Sequence, residues 1–419
     1  MQTDEVGRST GEPGADKTES PWQRLYRQVI QPTGQPAPAP PSLTLLNVLM
    51  IGLLLIVWRG ALLAVSAVWF RLGIANPWEG DESLHTLLRH SVHWDSGWYL
   101  SVVREGYAYN PDAQSNIAFF PMFPYLARIV EYVIPWGDVV AGLIVVHLAL
   151  FGAMLYIFQL VRIDYTDVVA WRTLLFLLVF PAAFFFSAFY AESLLVFGMA
   201  ATLYHARRGQ WLIAGLFGAF TGLTKLIGVV LVIPVGIELI RQRALRRDNL
   251  QAWAGGALTL AGGFAYLAFL QLRLGDFRVY FWNQEHWNRQ SFDPLPFQQL
   301  GRFLTGQELG YLPYPGDVVP LHTYYFLMDM GLLIAFLIAG VYLWLRVQPA
   351  YGALVLAGAM VPALSGTPLA LARYMAILFP VFLVAGKIKS EPVRYALVIC
   401  SLFGLAITTY LFANGYWAG

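Results

Sequence analysis

Apolar runs long enough to cross a bilayer make up most of this chain, and they constrain its fold more than any other feature. A spanning helix needs roughly 17–25 mostly apolar residues. Such runs lie at 43–70, 139–161, 172–189, 192–206, 211–223, 226–240, 252–272, 322–345, 350–365, 370–386 and 393–413. The composition agrees, because 58% of the residues are hydrophobic and only 12% are charged. We therefore expect an all-α polytopic membrane protein with about eleven transmembrane helices.

The basic residues of the short loops predict the orientation of these spans. If the spans alternate in direction, the run RQRALRRD at 241–248 and the lysines and arginines near 162–172, 207–208, 346 and 387–394 all lie on one side. Loops rich in Lys and Arg stay in the cytoplasm. The N-terminus is then cytoplasmic, and two long polar segments, 71–138 and 273–321, are extracytoplasmic loops.

The N-terminal segment differs in composition from the rest of the chain. Residues 1–42 are polar and rich in Gly, Pro, Ser and charged side chains, which favours a disordered cytoplasmic tail ahead of a transmembrane domain at 43–419. No apolar core lies close to Met1, so we expect the first span to be retained as an anchor. The single cysteine, Cys400, excludes internal disulfides, and a net charge of +2 without a basic patch argues against nucleic-acid binding.

Two short helices are expected in the first extracytoplasmic loop, around the sequence HWDSGWYLSVVREGY at 93–107. Apolar residues recur at helical spacing between residues 81 and 93, with polar residues on the opposite face. A second helix would begin after Asp95 and stop at Gly106. Both helices would lie in the membrane interface.

Asp95 has two interpretations. An Asp that precedes SGWYLS can cap the free N–H groups of the helix that follows, which is a structural role. Alternatively, the neighbouring Trp94 and Trp98 lower the local polarity, raise the affinity of the carboxylate for a proton and offer stacking faces to a sugar, with Tyr99 on the same apolar face. A carboxylate in that setting suits a general base that takes the proton of an attacking hydroxyl.

Further chemically costly residues stand at the ends of apolar runs or inside them. Glu192, in AFYAESLL, is either a solvated helix start or the lining of a cavity. Lys225, in GLTKLIG, is a lysine inside a membrane segment, which is functional by default unless it snorkels. Arg373 and Tyr374, in GTPLALARYMAILFP, are an interfacial anchor or a phosphate-binding pair, because an arginine at that depth can hold a lipid phosphate.

The second extracytoplasmic loop contributes Gln284 and Trp287, in FWNQEHWNRQ, as candidate binding residues. Histidines in the extracytoplasmic loops do not form a confident metal-site pattern, although His85 and His93 are eight residues apart and would share one helix face. We therefore predict no metal ligands. Asp81 and Glu82 form a rival acidic pair to Asp95.

Three blocks of this sequence, HWDSGWYLSVVREGY, AFFPMFP and FSAFYAESLL, resemble in order and spacing those of the PIG-V-type mannosyltransferase family, in a bacterial-type member. The resemblance implies a GT-C-like fold, whose members take a sugar from a polyprenyl-phosphate donor on the non-cytoplasmic face, here of a bacterial plasma membrane. It runs loosely to Arg373. Two positions depart from the family pattern: Lys225 stands where the family usually has Arg, and Ala372 replaces the proline of a Pro-Arg-Tyr block.

The resemblance implies an inverting glycosyltransferase that carries mannose from the lipid-linked donor to a glycolipid, glycan or protein acceptor. Asp95 would be the catalytic base, Lys225 or Arg373 would hold the lipid phosphate, and Glu192 would line the cavity. No cofactor is required, although a divalent ion near Asp95 and Glu192 would be chemically compatible. A lipid or solute transporter or flippase is the alternative, and a non-catalytic scaffold is a third.

Overall fold

The structure is a computed structural model that describes residues 30–71, 88, 90–289, 292–307, 309, 322–367 and 370–418. Its helices are α1 Leu45–Arg71, α2 Asp95–Glu105, α3 Met122–Val133, α4 Asp138–Arg162, α5 Asp167–Val179, α6 Glu192–Arg207, α7 Trp211–Thr224, α8 Val232–Arg241, α9 Leu250–Leu274, α10 Val279–Glu285, α11 Leu295–Leu304, α12 His322–Arg346, α13 Pro349–Ala363, α14 Leu371–Ala376, α15 Pro380–Gly386 and α16 Glu391–Ala413. In these residues the β structure is limited to one isolated bridge.

The all-α polytopic architecture is confirmed. Every predicted span coincides with helical structure, and five helices (α1, α4, α9, α12 and α16) are long and apolar enough to cross a membrane. Three predicted spans are interrupted: α5 is followed by a separate 3₁₀ turn at Ala183–Phe186, Leu226–Leu231 is a 3₁₀ helix before α8, and 370–386 consists of α14 and α15. Such breaks are tolerated at membrane depth only where the freed backbone groups are buried in protein or face water.

The described part of the loop at 71–138 contains short helices, as predicted. The helix after the Asp95 position begins at Asp95 itself and ends at Glu105, with Gly106 as its C-cap. A 3₁₀ turn at Asn116–Ala118 and helix α3 follow. The helix expected over 81–93 does not extend to its predicted end, because residues 90–91 form a turn and residues 92–93 have no regular structure. Residues 81–87, which include Asp81, Glu82 and His85, lie outside the described residues.

Helices α7 and α9 pack closely through glycines. A Cβ at Gly262 would overlap the carbonyl oxygen of Ala219, and a Cβ at Gly215 would meet the carbonyl oxygen of Gly255. Small residues allow helix backbones in a membrane to approach in this way. This contact holds the end of α7, and therefore Lys225, against the rest of the bundle.

Residues 33–41 of the N-terminal segment are joined to the helices by hydrogen bonds, whereas a disordered tail at 1–42 stays a prediction. The carbonyl of Arg241 accepts hydrogen bonds from the N–H groups of Thr33 and Gly34, and the carbonyl of Arg207 accepts one from Ala37. Arg162 donates in turn to the carbonyl of Pro41 at 3.0 Å. This stretch, the N-terminal strap, satisfies backbone groups that the ends of α6 and α8 leave free.

Candidate active site

Arg373 joins two carboxylates that come from distant parts of the chain. Its Nη1 donates to Oδ2 of Asp95 at 2.5 Å, and its Nε donates to Oε1 of Glu192 at 2.5 Å. The Arg373 and Glu192 side chains are 4% and 1% exposed, whereas the Asp95 side chain is 23% exposed. Asp95 is thus the member of this group that an incoming substrate can reach.

Lys225 adds a second cation to the same group. Helix α7 ends at Thr224, a 3₁₀ helix begins at Leu226, and Lys225 between them has extended backbone. Its Nζ lies 3.4 Å from Oε1 of Glu192 and 4.6 Å from the ring centre of Tyr374. The break in the helix therefore turns the lysine inward, where its charge is paired.

Arg289 is a third cation here, held through Tyr374. Its Nη1 donates to Oη of Tyr374 at 2.6 Å, and its guanidinium lies 5.5 Å from the centre of that ring. We call the following six residues the Arg373 cluster: Asp95, Glu192, Lys225, Arg289, Arg373 and Tyr374. The cluster contains three cations and two carboxylates, so it carries an excess of positive charge.

Hydrogen bonds tie together the two chain segments that carry the carboxylates. The Tyr190 hydroxyl donates to the carbonyl of His93 at 2.9 Å and accepts from the N–H of Asp95 at 3.2 Å. The N–H of Phe189 donates to the carbonyl of Ser91 at 2.8 Å. The guanidinium of Arg373 covers the Tyr190 ring at 4.5 Å. Tyr190 therefore fixes Asp95 and supports Arg373 from one face.

Unusual backbone conformations stand directly before two members of the Arg373 cluster and directly before the helix that carries a third. Trp94, Asn288 and Ala370 have φ angles of 55°, 54° and 66°. They stand just before Asp95, Arg289 and the helix of Arg373. Positive φ in residues other than glycine costs about 1–3 kcal/mol and persists where the surrounding structure imposes it, often at functional sites. The strain supports a functional role for this cluster.

The ionisation of Asp95 differs from the expectation. Burial raises the pKa of Asp95, but Arg373, and more weakly Lys225 and Arg289, outweigh it, so the pKa lies below its ordinary value of 3.8. The increased proton affinity expected from the tryptophans is therefore wrong for this state of the protein. The capping role also does not hold, since Trp94 occupies the N-cap position and no side chain caps α2.

Two polar atoms in the cluster have no hydrogen-bond partner among the described residues, although they are buried. They are Nη2 of Arg373 and Oε2 of Glu192. A buried polar atom left without a partner costs about 1–3 kcal/mol. The free Nη2 is a donor that a substrate anion can satisfy.

The predicted aromatic residues separate into two groups. Trp98 and Trp287 contact each other with ring centres 5.3 Å apart, and both pack against Phe119. Tyr99 is buried and lies 6.4 Å from the Tyr190 ring. Trp94 instead packs on Trp417 at 5.3 Å, and its indole donates to the carbonyl of Tyr416. Its ring thus faces the C-terminal segment.

Gln284 contributes to this region through its backbone. Its carbonyl oxygen accepts hydrogen bonds from the N–H groups of Trp287 and Arg289. Arg289 lies in the block FWNQEHWNRQ and Tyr190 in the block AFYAESLL. The sequence alone did not predict either as a site residue, since an arginine in a loop and a tyrosine at a span end are common. Within the described ranges, no three His, Cys, Asp or Glu side chains group as metal ligands would. The absence of a metal stays a prediction.

Comparison with known proteins gives one family. Residues 43–243 match the model of the family described as Mannosyltransferase (PIG-V). The match includes Asp95, Glu192 and Lys225, and it ends before Arg289, Arg373 and Tyr374. No curated protein matches the chain.

Among solved structures, the chain is similar to an oligosaccharyltransferase from Archaeoglobus fulgidus. The apo form is 15% identical with a TM-score of 0.40, and the form tethered to an acceptor peptide is 14% identical with the same TM-score. A complex with an inhibitory peptide and a dolichol-phosphate is 14% identical with a TM-score of 0.37. Each alignment covers 86% of this chain and 56% of the other, so the chain spans about half the length of these proteins. Likeness at this level supports no conclusion about function.

The family match and the sequence blocks agree on one assignment. The residues matched by the family model carry both carboxylates of the Arg373 cluster and the lysine that pairs with one of them. The chain is thus similar to the mannosyltransferase (PIG-V) family over residues 43–243 of its 419 residues.

Proposed function

We propose that this protein is a membrane glycosyltransferase that moves a mannosyl group from a polyprenyl-phosphate donor to an acceptor hydroxyl. The observation that carries the proposal is the excess positive charge of the Arg373 cluster, with three cations against two carboxylates beside a partly exposed Asp95. The phosphodiester of the donor carries one negative charge, which would neutralise the excess positive charge of the cluster. The family of residues 43–243 supports mannose as the sugar.

Arg373 and Lys225 would hold the donor phosphate. Arg373 has a buried donor, Nη2, without a described partner, and Lys225 is 20% exposed beside it in the cluster. Both cations would stabilise the negative charge that grows on the phosphate oxygen as the bond to the sugar breaks. Such stabilisation by prepositioned charges in a site of low polarity is a large contribution to catalysis.

Asp95 would accept the proton of the acceptor hydroxyl. The hydroxyl oxygen forms a bond to the anomeric carbon, the carbon–oxygen bond to phosphate breaks, and its electron pair stays on the phosphate. The proton passes to the Asp95 carboxylate, and attack opposite the phosphate inverts the configuration. When the phosphate draws Arg373 toward itself, the hold of Arg373 on Asp95 weakens, and the pKa of Asp95 rises toward that of a useful base.

A divalent ion would have to compete with Arg373 for both carboxylates. Asp95 and Glu192 each accept a hydrogen bond from this guanidinium. The residues present therefore fit a metal poorly in this arrangement, and the proposed reaction uses side-chain cations alone.

We also propose the orientation that the loop charges predict: a cytoplasmic N-terminus, and an active site at the extracytoplasmic face of a bacterial plasma membrane.

The test is transfer of radiolabelled mannose from polyprenyl-phosphate mannose to membrane lipids by purified protein in liposomes. Asp95→Asn keeps the size of the side chain and removes the base, so the rate should fall by about 10²–10⁴-fold. Asp112→Asn, at an exposed Asp of the same loop, is the matched control and should transfer at the wild-type rate. Equal rates for wild type and Asp95→Asn would remove Asp95 from catalysis.

A further inference from the structure

An arginine stands inside the first candidate span, away from the Arg373 cluster. Arg59 belongs to α1, and at 1.5 Å per residue it lies roughly 21 Å along the axis from Leu45. Its Nη1 donates to the Ser187 hydroxyl at 3.1 Å and its Nη2 to the Ser91 hydroxyl at 2.7 Å. In the described part of the chain, no carboxylate forms an ion pair with it. A cation in a membrane helix without a counter-charge is costly and usually functional.

A cavity opens beside this guanidinium. Its polar lining includes Arg59, Ser91, Ser187 and Thr409, and it is completed by apolar groups such as Phe184 and Phe412. The enclosed part holds about 10 Å³, room for about one oxygen atom, and the whole space, including its open side, is about 240 Å³. The cavity can thus admit one oxygen of a larger group whose remainder stays outside.

The Thr409 hydroxyl is an independent sign of a missing ligand. Thr409 is 5% exposed, its Oγ1 has no hydrogen-bond partner among the described residues, and it lines the cavity. A buried hydroxyl without a partner costs about 1–3 kcal/mol. The hydroxyl and the Arg59 guanidinium can both donate to the same oxygen.

The chemistry of this lining selects an anion. It contains a permanent cation and hydroxyl groups but no carboxylate. Arginine binds phosphate oxygens with charge-assisted hydrogen bonds, which are roughly twice as strong as neutral ones. In a bilayer, the abundant source of such oxygens is the phosphate of a lipid.

We propose that the Arg59 cavity is a second anion site, which binds the phosphate group of a membrane lipid. It is distinct from the Arg373 cluster, because Phe184 and Phe185 stand between them: Phe184 lines the cavity, and the Arg373 guanidinium lies 5.3 Å from the Phe185 ring. The two phenylalanine rings are 4.2 Å apart. The phosphate comes from a phospholipid headgroup or from a polyprenyl phosphate.

Native mass spectrometry of the full chain, titrated with defined lipids, tests the site without relying on transfer activity. One arm uses phosphatidylglycerol, a second uses polyprenyl phosphate, and neutral diacylglycerol is the reference. Arg59→Gln should lower the affinity for one of the two phosphate lipids about tenfold or more. If that lipid is the polyprenyl phosphate, the variant should lose one bound molecule and keep the one held by the Arg373 cluster.

Two further variants make the result decisive. Thr409→Val removes only the free hydroxyl and keeps the side-chain shape, so it should fold normally and weaken the same lipid about two- to tenfold; it carries the test if Arg59→Gln does not fold. Arg128→Gln, at an exposed arginine of α3, removes one charge elsewhere and should bind as wild type. Unchanged binding of both phosphate lipids by Arg59→Gln, or by Thr409→Val where the former is unfolded, would overturn the proposal. Arg59 would then only link Ser91 to Ser187.

Discussion

Arg373 and Asp95 are 278 residues apart in the chain, yet Nη1 of the arginine lies 2.5 Å from Oδ2 of the aspartate. The same guanidinium binds Glu192 through Nε. One side chain from α14 thus connects the start of α2 with the start of α6. Because the arginine is almost fully buried, the charges on the three residues depend on one another.

Arg373→Gln should destabilise the protein by about 3–5 kcal/mol, because removing one partner leaves buried charge uncompensated. Arg373→Lys keeps the charge but cannot contact both carboxylates with a planar fork, so we expect a smaller loss of stability. Chemical unfolding in detergent measures the difference. Arg346→Gln, at an exposed arginine at the end of α12, is the control. A wild-type unfolding midpoint for Arg373→Gln would contradict the pairing.

Lys225→Met should raise the KM for the lipid-linked donor about tenfold, because a half-buried cation that we propose to hold the phosphate is lost. Lys225→Arg should keep most of the affinity, since the charge remains and the guanidinium can still reach Glu192. Steady-state transfer with varied donor concentration separates KM from kcat. If Lys225→Met changed neither constant, Lys225 would only neutralise Glu192, and the phosphate would be held without it.

The pH dependence of transfer follows from the lowered pKa of Asp95. Ionised Asp95 stabilises the fold above the ordinary pKa of 3.8, and this contribution is lost as the pH falls through the lower pKa of the folded state. The acid limb of the rate in the free enzyme should therefore lie below about pH 4. Lys225→Met removes one of the cations that lower this pKa, so its acid limb should move to higher pH.

The measurement is kcat/KM against pH for wild type and Lys225→Met, since this ratio reports the free enzyme. Asp112→Gln serves as the control and should leave the limb in place. A limb that moved to lower pH in Lys225→Met would contradict the assignment of the limb to Asp95.

Removal of residues 2–41 should lower the free energy of unfolding by about 2–4 kcal/mol, given about 0.5–1.5 kcal/mol for each hydrogen bond that the N-terminal strap makes. Its partners include the carbonyls of Arg207 and Arg241 and the guanidinium of Arg162. Removal of residues 2–28 leaves those bonds intact and should have no such effect. Thermal unfolding of the two truncated proteins provides the comparison, and equal midpoints would show that the strap does not stabilise the bundle.

The amino-acid sequence by itself determined the class of this protein and most of its helices. Runs of apolar residues such as 139–161 specify helices because a bilayer leaves backbone groups no partner except each other. The blocks around Asp95 and Glu192 indicated a resemblance to the PIG-V family and contained both carboxylates of the Arg373 cluster. Lys225 was visible as a cation inside an apolar run, which is a local signal.

Only the tertiary structure decided which of these residues meet. Periodicity cannot predict that Arg373 joins Asp95 to Glu192, because the contact depends on the packing of helices far apart in sequence. The same cluster reversed the expected pKa shift of Asp95, since Arg373 at 2.5 Å, together with Lys225 and Arg289, outweighs the effect of burial. Arg289 gained its place in the cluster through Tyr374, and the Pro-rich strap is joined to the helices through bonds to Arg207 and Arg241. Composition indicates the conformation that a segment prefers in isolation. Long-range hydrogen bonds and ion pairs exist only once the bundle has formed.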